Sequence, residues 1–186
     1  MLSSLEHSAP PWLAELMPAP GSVALSAGEL LRLSLAVAAV SVRNGGGPFG
    51  AVLADADGRV IEIGWNAVTS CCDSTAHAEI VCLRRAQKKL GTHDLSSLAG
   101  PAVLYSSCDP CILCFGAIYW SGVREVVAAA RKADAERIGF DEGPVSEALW
   151  LEAERKKGIR LSHGEIDREA ALSPFALFTK LGGMLY

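Results

Sequence analysis

Two short segments of the 186-residue chain hold residue types that bind metals and move protons. They are His77-Ala-Glu79 and Pro110-Cys111-Ile-Leu-Cys114. Residues three apart on a helix lie on the same side, so Cys111 and Cys114 can offer both thiols to one ion. Zinc takes thiolate and imidazole ligands, and three protein ligands leave the fourth tetrahedral position open to water, as in catalytic sites. The pattern predicts a Zn2+ ion held by His77, Cys111 and Cys114.

Glu79 is the candidate proton carrier of this site. In the middle of a helix it would lie about 200° from His77, and the two side chains could not face one ion. The spacing therefore predicts a helix that begins at or just before His77, capped by Asp73, Ser74 or Thr75. At that helix end, Glu79 can take a proton from water and deliver it to a substrate and its leaving group.

The chain has six cysteines, all between positions 71 and 114. A Cys-x-x-Cys pair alone is also compatible with a redox site. Cys108 is a candidate fourth sulfur ligand, which would close the site and make it structural. Cys71, Cys72 and Cys82 are interpreted as small buried hydrophobes.

Composition excludes several classes of protein. Half of the residues are apolar and 20% are charged, which excludes an intrinsically disordered chain. A net charge of −4 argues against nucleic-acid binding, since proteins that contact many phosphates usually have a surplus of basic residues. The most apolar stretch, Leu30 to Val42, is interrupted by polar residues and too short to cross a membrane. The first residues lack the pattern of a secretory signal, so a cytoplasmic protein with free thiols is expected, without nucleic-acid or membrane partners.

The elements that must position these residues alternate between strand and helix. Residues 1–25 hold four prolines and are predicted to form an irregular N-terminal arm. Residues 26–186 are predicted to form one domain of the α/β class, whose strand order the sequence does not give. The predicted helices cover 26–44, 77–90, 110–120, 133–138, 145–157 and 167–180, and the predicted strands cover 49–54, 60–65, 102–106, 123–129 and 159–161.

The two metal-binding segments together match the signature of zinc deaminases. With Gly46-Gly-Pro-Phe-Gly-Ala-Val52, Asn66-Ala-Val68 and Ser107-Cys-Asp-Pro-Cys111, the chain resembles the cytidine deaminase superfamily, in its small cytosolic branch of guanine, cytosine and tRNA adenosine deaminases. The resemblance implies a three-layer α/β/α sandwich with a five-stranded mixed sheet. It also implies zinc between two helix N-termini and Glu79 as the proton shuttle.

The same resemblance implies further site residues. Asn66 matches an asparagine that hydrogen-bonds the substrate, although it is also compatible with a turn. Phe49 and Ala51 match a loop that borders the base, although Phe49 also fits core packing. Glu142 matches a second catalytic glutamate of bacterial-type guanine deaminases, or else is a solvated loop acid. Tyr186 matches a C-terminal lid that closes over the purine, or else is a surface terminus.

These implications predict a hydrolase that converts guanine to xanthine and ammonia. The alternatives are deamination of guanosine, an s-triazine, a pterin or cytosine, tRNA adenosine deamination, and a structural zinc module. The apolar helix after Pro110 has more hydrophobic surface than one core face needs. Together with the resemblance, this predicts a homodimer, with the C-terminal tail a candidate for exchange between subunits. Burial of that helix within a single chain is the alternative.

Overall fold

The computed structural model describes residues 9–19 and 23–186. None of the helices in these ranges is long and apolar enough to cross a membrane. The helices are α1 (Leu13–Leu16), α2 (Ala27–Arg43), α3 (Val68–Cys71), α4 (Ala78–Leu90), α5 (Ile112–Ser121), α6 (Lys132–Arg137), α7 (Glu147–Lys157) and α8 (Arg168–Lys180). The strands are β1 (Gly50–Ala54), β2 (Val60–Trp65), β3 (Val103–Cys108), β4 (Glu125–Ala130) and β5 (Arg160–His163), and a 3₁₀ turn covers Leu95–Ser97.

The five strands form one mixed sheet in the order β2-β1-β3-β4-β5. Strand β1 is antiparallel to both β2 and β3, whereas β3, β4 and β5 run parallel to one another. The α/β class and the mixed five-stranded sheet are confirmed. Strand β3 lies in the centre, so its carboxyl end delivers the Cys111 segment to the middle of the sheet edge.

Helices cover both faces of the sheet. On β1, Val52 packs in a core with residues of α2, and the next residue, Leu53, packs in a second core with residues of α4 and α5. Side chains alternate between the faces of a strand, and all five β1 residues are buried, so two hydrophobic layers enclose the strand. The predicted three-layer sandwich is confirmed.

The first long helix and the first two strands lie where the sequence predicts them, and local signals explain their ends. The Ser26 side chain accepts from the Glu29 N–H while the Glu29 carboxylate accepts from the Ser26 N–H, and this capping box starts α2. Residues 55–59 join β1 to β2, and the Asp55 carboxylate accepts from the N–H groups of Asp57 and Arg59.

The described part of the N-terminal arm contains a helical turn that the sequence does not predict. Residues 1–8 and 20–22 lie outside the described residues, but helix α1 forms one turn despite the neighbouring Pro10 and Pro11. Leu13 is buried, and the Trp12 ring packs edge-on against Trp65 at 5.7 Å. Burial of this apolar turn against the α2 side of the sheet explains why it is helical.

Candidate active site

The site lies where the N-termini of α4 and α5 meet. His77 is the N-cap of α4, and Cys111 is the N-cap of α5. His77 Nδ1 lies 3.3 Å from Cys111 Sγ and 3.6 Å from Cys114 Sγ. Among the described residues, these three form a group whose ligand atoms all lie within 4.8 Å of one another. The structure therefore brings the three predicted ligands together.

The helix starts differ from the prediction in detail. His77 itself is the N-cap of α4, with extended backbone and no side-chain cap, because the Asp73 carboxylate accepts from Thr75 instead. The predicted cap by Asp73, Ser74 or Thr75 is wrong. Helix α5 starts at Ile112 rather than near Pro110, since the chain still runs beside β4 through the bond from the Asp109 N–H to the Ala130 carbonyl.

The spacing of the three ligand atoms fits tetrahedral zinc. Bonds of about 2.3 Å to sulfur and about 2.0–2.1 Å to nitrogen place N and S about 3.6 Å apart in a tetrahedron. The two N–S distances of 3.3 and 3.6 Å match this value. Cys108 lies outside the group, because its thiol donates to the Arg131 carbonyl. The closed, four-ligand alternative has no support in the described residues.

Electrostatics favour metal binding at Cys111. Hydrogen bonds from Cys114 and His77 lower the pKa of Cys111 to about 4, against the opposing effect of burial. Burial raises the pKa of Cys114 well above its usual value. The pKa of His77 is raised because its hydrogen bond to Cys111 and the negative charges nearby outweigh the lowering by burial. The lowered pKa of Cys111 favours its thiolate, which is the form that binds zinc.

Glu79 lies in the first turn of α4 and is 5% exposed. Its Oε1 accepts from the Ser106 hydroxyl at 2.9 Å, and its Oε2 accepts from the Cys114 thiol at 3.2 Å. Burial, followed by the negative charge of Cys111, raises the pKa of Glu79. A raised pKa suits a group that must both take and return a proton near neutral pH.

A cavity of about 210 Å³ opens beside these groups. Its wall includes the candidate residues Phe49, Asn66, Glu142 and Tyr186 together with Glu79 and the three zinc ligands. Ala51 is not part of the wall. It is fully buried on β1 and packs in the core beneath α4, so its role at the base stays a prediction. The remaining wall residues are Val68, Ser74, Asp109, Phe140 and Asp141.

Asn66 is buried at the cavity wall. Its Oδ1 accepts from the N–H groups of Gly47 at 3.2 Å and Val68 at 3.4 Å, which fixes the orientation of the amide. Its Nδ2 is buried and has no hydrogen-bond partner. Buried donors in proteins are nearly always paired, so this one has the chemistry expected of a ligand-binding group.

Glu142 lies in the loop between α6 and α7 and is 6% exposed, so it is not a solvated loop acid. Burial, followed by the negative charges of Cys111 and Glu79, raises the pKa of Glu142 to about 8. The neighbouring Phe140 packs edge-on against Phe49 at 4.9 Å. Phe49 therefore serves core packing while it also forms part of the wall.

Tyr186 reaches into the cavity of its own chain. Its ring lies 6.3 Å from the His77 ring and 5.3 Å from the Phe140 ring. A side chain at Gly47 would come within 2.4 Å of the Tyr186 hydroxyl, so that hydroxyl rests against the Gly47 backbone. The residue as a whole is 40% exposed, but its hydroxyl end lies in the cavity, and burial of that end, followed by the charges of Glu142 and Glu79, raises the pKa of Tyr186.

All six cysteines are free thiols. Cys82 is buried, as predicted, and its thiol donates to the Glu62 carbonyl at 3.5 Å. Cys71 and Cys72 are exposed at the end of α3, so their interpretation as buried hydrophobes is wrong. Helix α3 is a single turn whose end faces solvent, and no periodicity over four residues could have shown this.

Sequence reasoning missed Ser106 and Asp109. Ser106 contacts Glu79, and Asp109 forms part of the cavity wall. Asp109 is not part of the ligand group, and its position two residues before Cys111 is the one signal in the sequence that points to the site. Ser106 had a weaker signal, since only the pairing of β3 with β1 brings it opposite Ala51.

Comparison with known proteins decides the family. A model of the cytidine and deoxycytidylate deaminase zinc-binding region matches residues 26–130, which include Glu79 and all three ligands. The chain belongs to this deaminase family. It is 38% identical over 146 residues to the guanine deaminase of Bacillus subtilis (strain 168), a match that covers 78% of this chain and 88% of that protein.

Solved structures give the same placement within the deaminase family. A guanine deaminase from Nitrosomonas europaea superposes with a TM-score of 0.87 at 35% identity, over 96% of this chain and 98% of that chain. The protein NE0047 in complex with 2,6-diaminopurine gives a TM-score of 0.88 at 38% identity, over 100% of this chain and 98% of that chain. The chain is thus a zinc deaminase similar to guanine deaminases.

Proposed function

We propose that this protein hydrolyses guanine to xanthine and ammonia. One observation carries the proposal. The buried carboxyl groups of Glu79 and Glu142 line the same cavity as Asn66, whose Nδ2 has no hydrogen-bond partner, and this cavity lies at the zinc site. Guanine offers several ring donors and acceptors to such groups. The similarity to guanine deaminases, and the 2,6-diaminopurine bound to NE0047, support a purine with an amino group at C2.

Zinc, when bound by His77, Cys111 and Cys114, would supply a water of lowered pKa as the nucleophile. As a zinc ligand Cys114 would be a thiolate, so it would no longer donate to Glu79, and Oε2 would be free to accept a proton. Glu79 then takes a proton at Oε2 from the attacking water, while Ser106 holds Oε1. It passes that proton to ring N3 of guanine as the water oxygen bonds to C2. Glu79 next takes the proton of the new C2 hydroxyl and gives it to the amino group, whose bond to C2 breaks as the C2 carbonyl forms, so that xanthine and ammonia leave.

The other polar groups are proposed to hold the purine. Burial raises the pKa of Glu142 to about 8, so that both its neutral and its ionised form are accessible near pH 7 to 8, and its proposed role is to assist proton transfer at N1 or at the leaving amine. Asn66 donates from Nδ2 to a ring or carbonyl acceptor. A base that lacks the matching groups would leave these buried groups unpaired, which disfavours it.

Phe49, Ala51 and Tyr186 are proposed to shape the space around the base. The ring of Phe49 borders the cavity. Ala51 lies on β1 just after it, where its small, fully buried side chain takes up little space. Tyr186 closes the cavity from the opposite side, between His77 and Phe140. Closure of this kind excludes water and disfavours a ribose on N9, which favours the free base over guanosine.

The test is ammonia release by the purified, zinc-loaded protein. Guanine, guanosine, adenine, cytosine, cytidine, an s-triazine and a pterin are supplied in parallel. We expect turnover of guanine with at least tenfold preference, since unpaired polar groups discriminate strongly. Turnover of another heterocycle without guanine turnover would assign that heterocycle as the substrate. No turnover of any of them, with zinc held by four protein ligands, would favour a structural zinc module.

Transfer RNA is a separate arm of that test, because tRNA adenosine deamination is an alternative within the family. The net charge of −4 gives no basic surplus for phosphate contacts. We therefore expect no shift of tRNA on a native gel at low or moderate salt. Inosine formation in tRNA would overturn the guanine assignment.

We also propose that the enzyme is a homodimer. Helix α5 leaves apolar side chains in solvent, with Ile112 and Leu113 each 38% exposed and Trp120 75% exposed. Such a face is typical of an interface. Light scattering after size exclusion is expected to give twice the chain mass, and a variant with Trp120→Lys is expected to give the single mass. Exchange of the tail between subunits stays a prediction, as the described Tyr186 lies in its own chain's cavity.

The domain division and the location are kept as proposals. Residues 1–25 are proposed to form the N-terminal arm and residues 26–186 the deaminase domain, against which Trp12 and Leu13 of the arm pack. The six free thiols support a reducing compartment such as the cytoplasm. Proteolysis that leaves 26–186 folded and active would support the division.

A further inference from the structure

The loop that carries Glu142 has little regular structure of its own. Residues 139–145 lie between α6 and α7, and Gly139 and Gly143 both adopt positive φ angles, 108° and 68°. A loop of this kind needs contacts from other elements to hold a side chain in one place. One such contact comes from α5, where the Ile112 N–H donates to the Glu142 carbonyl at 3.1 Å.

Lys132 supplies further contacts to the same loop. Its Nζ donates to the carbonyl of Gly143, the residue directly after Glu142, and to the Val145 carbonyl at 3.3 Å. The side chain is 27% exposed, and Glu136 Oε1 lies 3.4 Å from Nζ. The loop is therefore held on both sides of Glu142 along the chain. Phe140 packs against Phe49 before it, and the Lys132 ammonium binds two carbonyls after it.

Lys132 is in turn tied to the segment that carries Cys111. Its backbone N–H donates to Asp109 Oδ2 at 2.9 Å, and Asp109 Oδ1 accepts from His163 Nε2 at 2.6 Å. His163 Nδ1 also lies 2.7 Å from Arg131 Nη1, so the imidazole links Asp109 to the residue that precedes Lys132. This polar cluster fixes the start of α6 against the zinc-ligand segment.

We propose that Lys132 is a positioning residue that holds the Glu142 loop in register with the zinc-ligand segment. Its backbone binds the Asp109 carboxylate beside Cys111, and its side chain binds the carbonyls that follow Glu142. It acts on the loop backbone and does not itself contact the purine. The proposal rests on the proposed function, because Glu142 matters there as a group that meets the substrate. Misplacement of such a group by about 1 Å is enough to cost roughly 100-fold in rate.

Lys132→Met keeps the length of the apolar stem and removes the ammonium. We expect kcat/KM for guanine to fall about 10- to 100-fold, with zinc content and thermal midpoint near those of the wild type. Lys132→Arg keeps a donor and is expected to restore most of the loss. Lys156→Met is the matched control, since Lys156 is an exposed lysine on α7 that pairs with Glu152, and it should leave activity unchanged.

A double-mutant cycle separates positioning from a general structural role. In the Glu142→Gln background, Lys132→Met should cost less than about threefold, because the group that it positions is already altered. An equal loss in both backgrounds, or wild-type activity of Lys132→Met, would overturn the proposal. If Lys132→Met does not fold, Lys132→Gln takes its place in the same cycle.

A binding readout keeps this test apart from the test of the proposed function. The four proteins of the cycle are titrated with 2,6-diaminopurine by calorimetry, which requires no turnover. Positioning is supported if Lys132→Met binds 2,6-diaminopurine more weakly than the wild type does, while the double variant binds it no more weakly than Glu142→Gln does. This result supports positioning even if guanine proves not to be the substrate. Unchanged binding together with unchanged kcat/KM rejects it. Failure of the wild type to deaminate guanine rejects the proposed function alone.

Discussion

Ser106→Ala tests whether Glu79 must be held by a neighbour to do its work. The Ser106 hydroxyl donates to Glu79 Oε1 at 2.9 Å, and both side chains are buried. A hydrogen bond to a charged group contributes about 1.5–3 kcal/mol, and about 1.4 kcal/mol corresponds to a factor of ten in rate. We therefore expect kcat/KM for guanine to fall about 10- to 160-fold, measured by xanthine formation at saturating and limiting guanine.

The same substitution has a predicted pH signature. The Ser106 hydroxyl stabilises the carboxylate form of Glu79, so its removal raises the pKa of that group further. The proton transfer that needs ionised Glu79 should then require a higher pH. The acidic limb of the plot of kcat/KM against pH should therefore shift to higher pH. Zinc content, measured by metal analysis, should not change, because Ser106 is not part of the ligand group.

Ser107→Ala is the matched control on the same strand. The Ser107 hydroxyl accepts from the Gly50 N–H at 3.0 Å and, like Ser106, is buried, so its loss is expected to lower stability. It should leave the acidic limb in place. The reasoning would be refuted by Ser106→Ala activity within about twofold of the wild type, or by equal shifts of the acidic limb in both variants.

Three other predictions concern the metal, the second carboxyl group and the lid. Chelation of zinc should abolish turnover and added Zn2+ should restore it, whereas Cys111→Ser should show little zinc by metal analysis and no turnover. Since the pKa of Glu142 is raised to about 8, the free energy of unfolding of the zinc-free protein should fall as pH rises from about 5 to about 8. Urea denaturation at both pH values should show that the free energy of unfolding falls less in Glu142→Gln than in the wild type. An equal fall in both proteins would contradict the raised pKa of Glu142. Gly47→Ala would place a methyl group 2.4 Å from the Tyr186 hydroxyl and 3.0 Å from Asn66, so KM for guanine should rise in steady-state kinetics, with an unchanged KM as the contrary result.

The parts that the sequence predicts are those set by local chemistry. The capping box of Ser26 and Glu29 starts α2 because the two residues satisfy each other's backbone groups over one turn. His77 is the N-cap of α4 and Glu79 lies in its first turn. Because the backbone of His77 is not yet helical, both side chains can face the zinc site although they are only two residues apart. Both inferences need only a few neighbouring residues.

The parts that the sequence does not predict depend on pairing between distant segments. Ser106 reaches Glu79 only because β3 packs beside β1 and below α4, and Asp109 meets His163 across 54 positions of the chain. No spacing rule links such residues. The exposure of Cys71 and Cys72 was missed for a related reason, since a one-turn helix has no periodicity from which a buried face can be read.

Guanine turnover by the wild type and by Glu79→Gln, each loaded with zinc, tests the central claim most directly. The wild type should form xanthine and ammonia in equal amounts, while Glu79→Gln should keep its zinc and form neither, because the amide cannot carry the proton between water, N3 and the leaving amine. Absence of xanthine with the zinc-loaded wild type, or xanthine formation by zinc-loaded Glu79→Gln, would contradict the account.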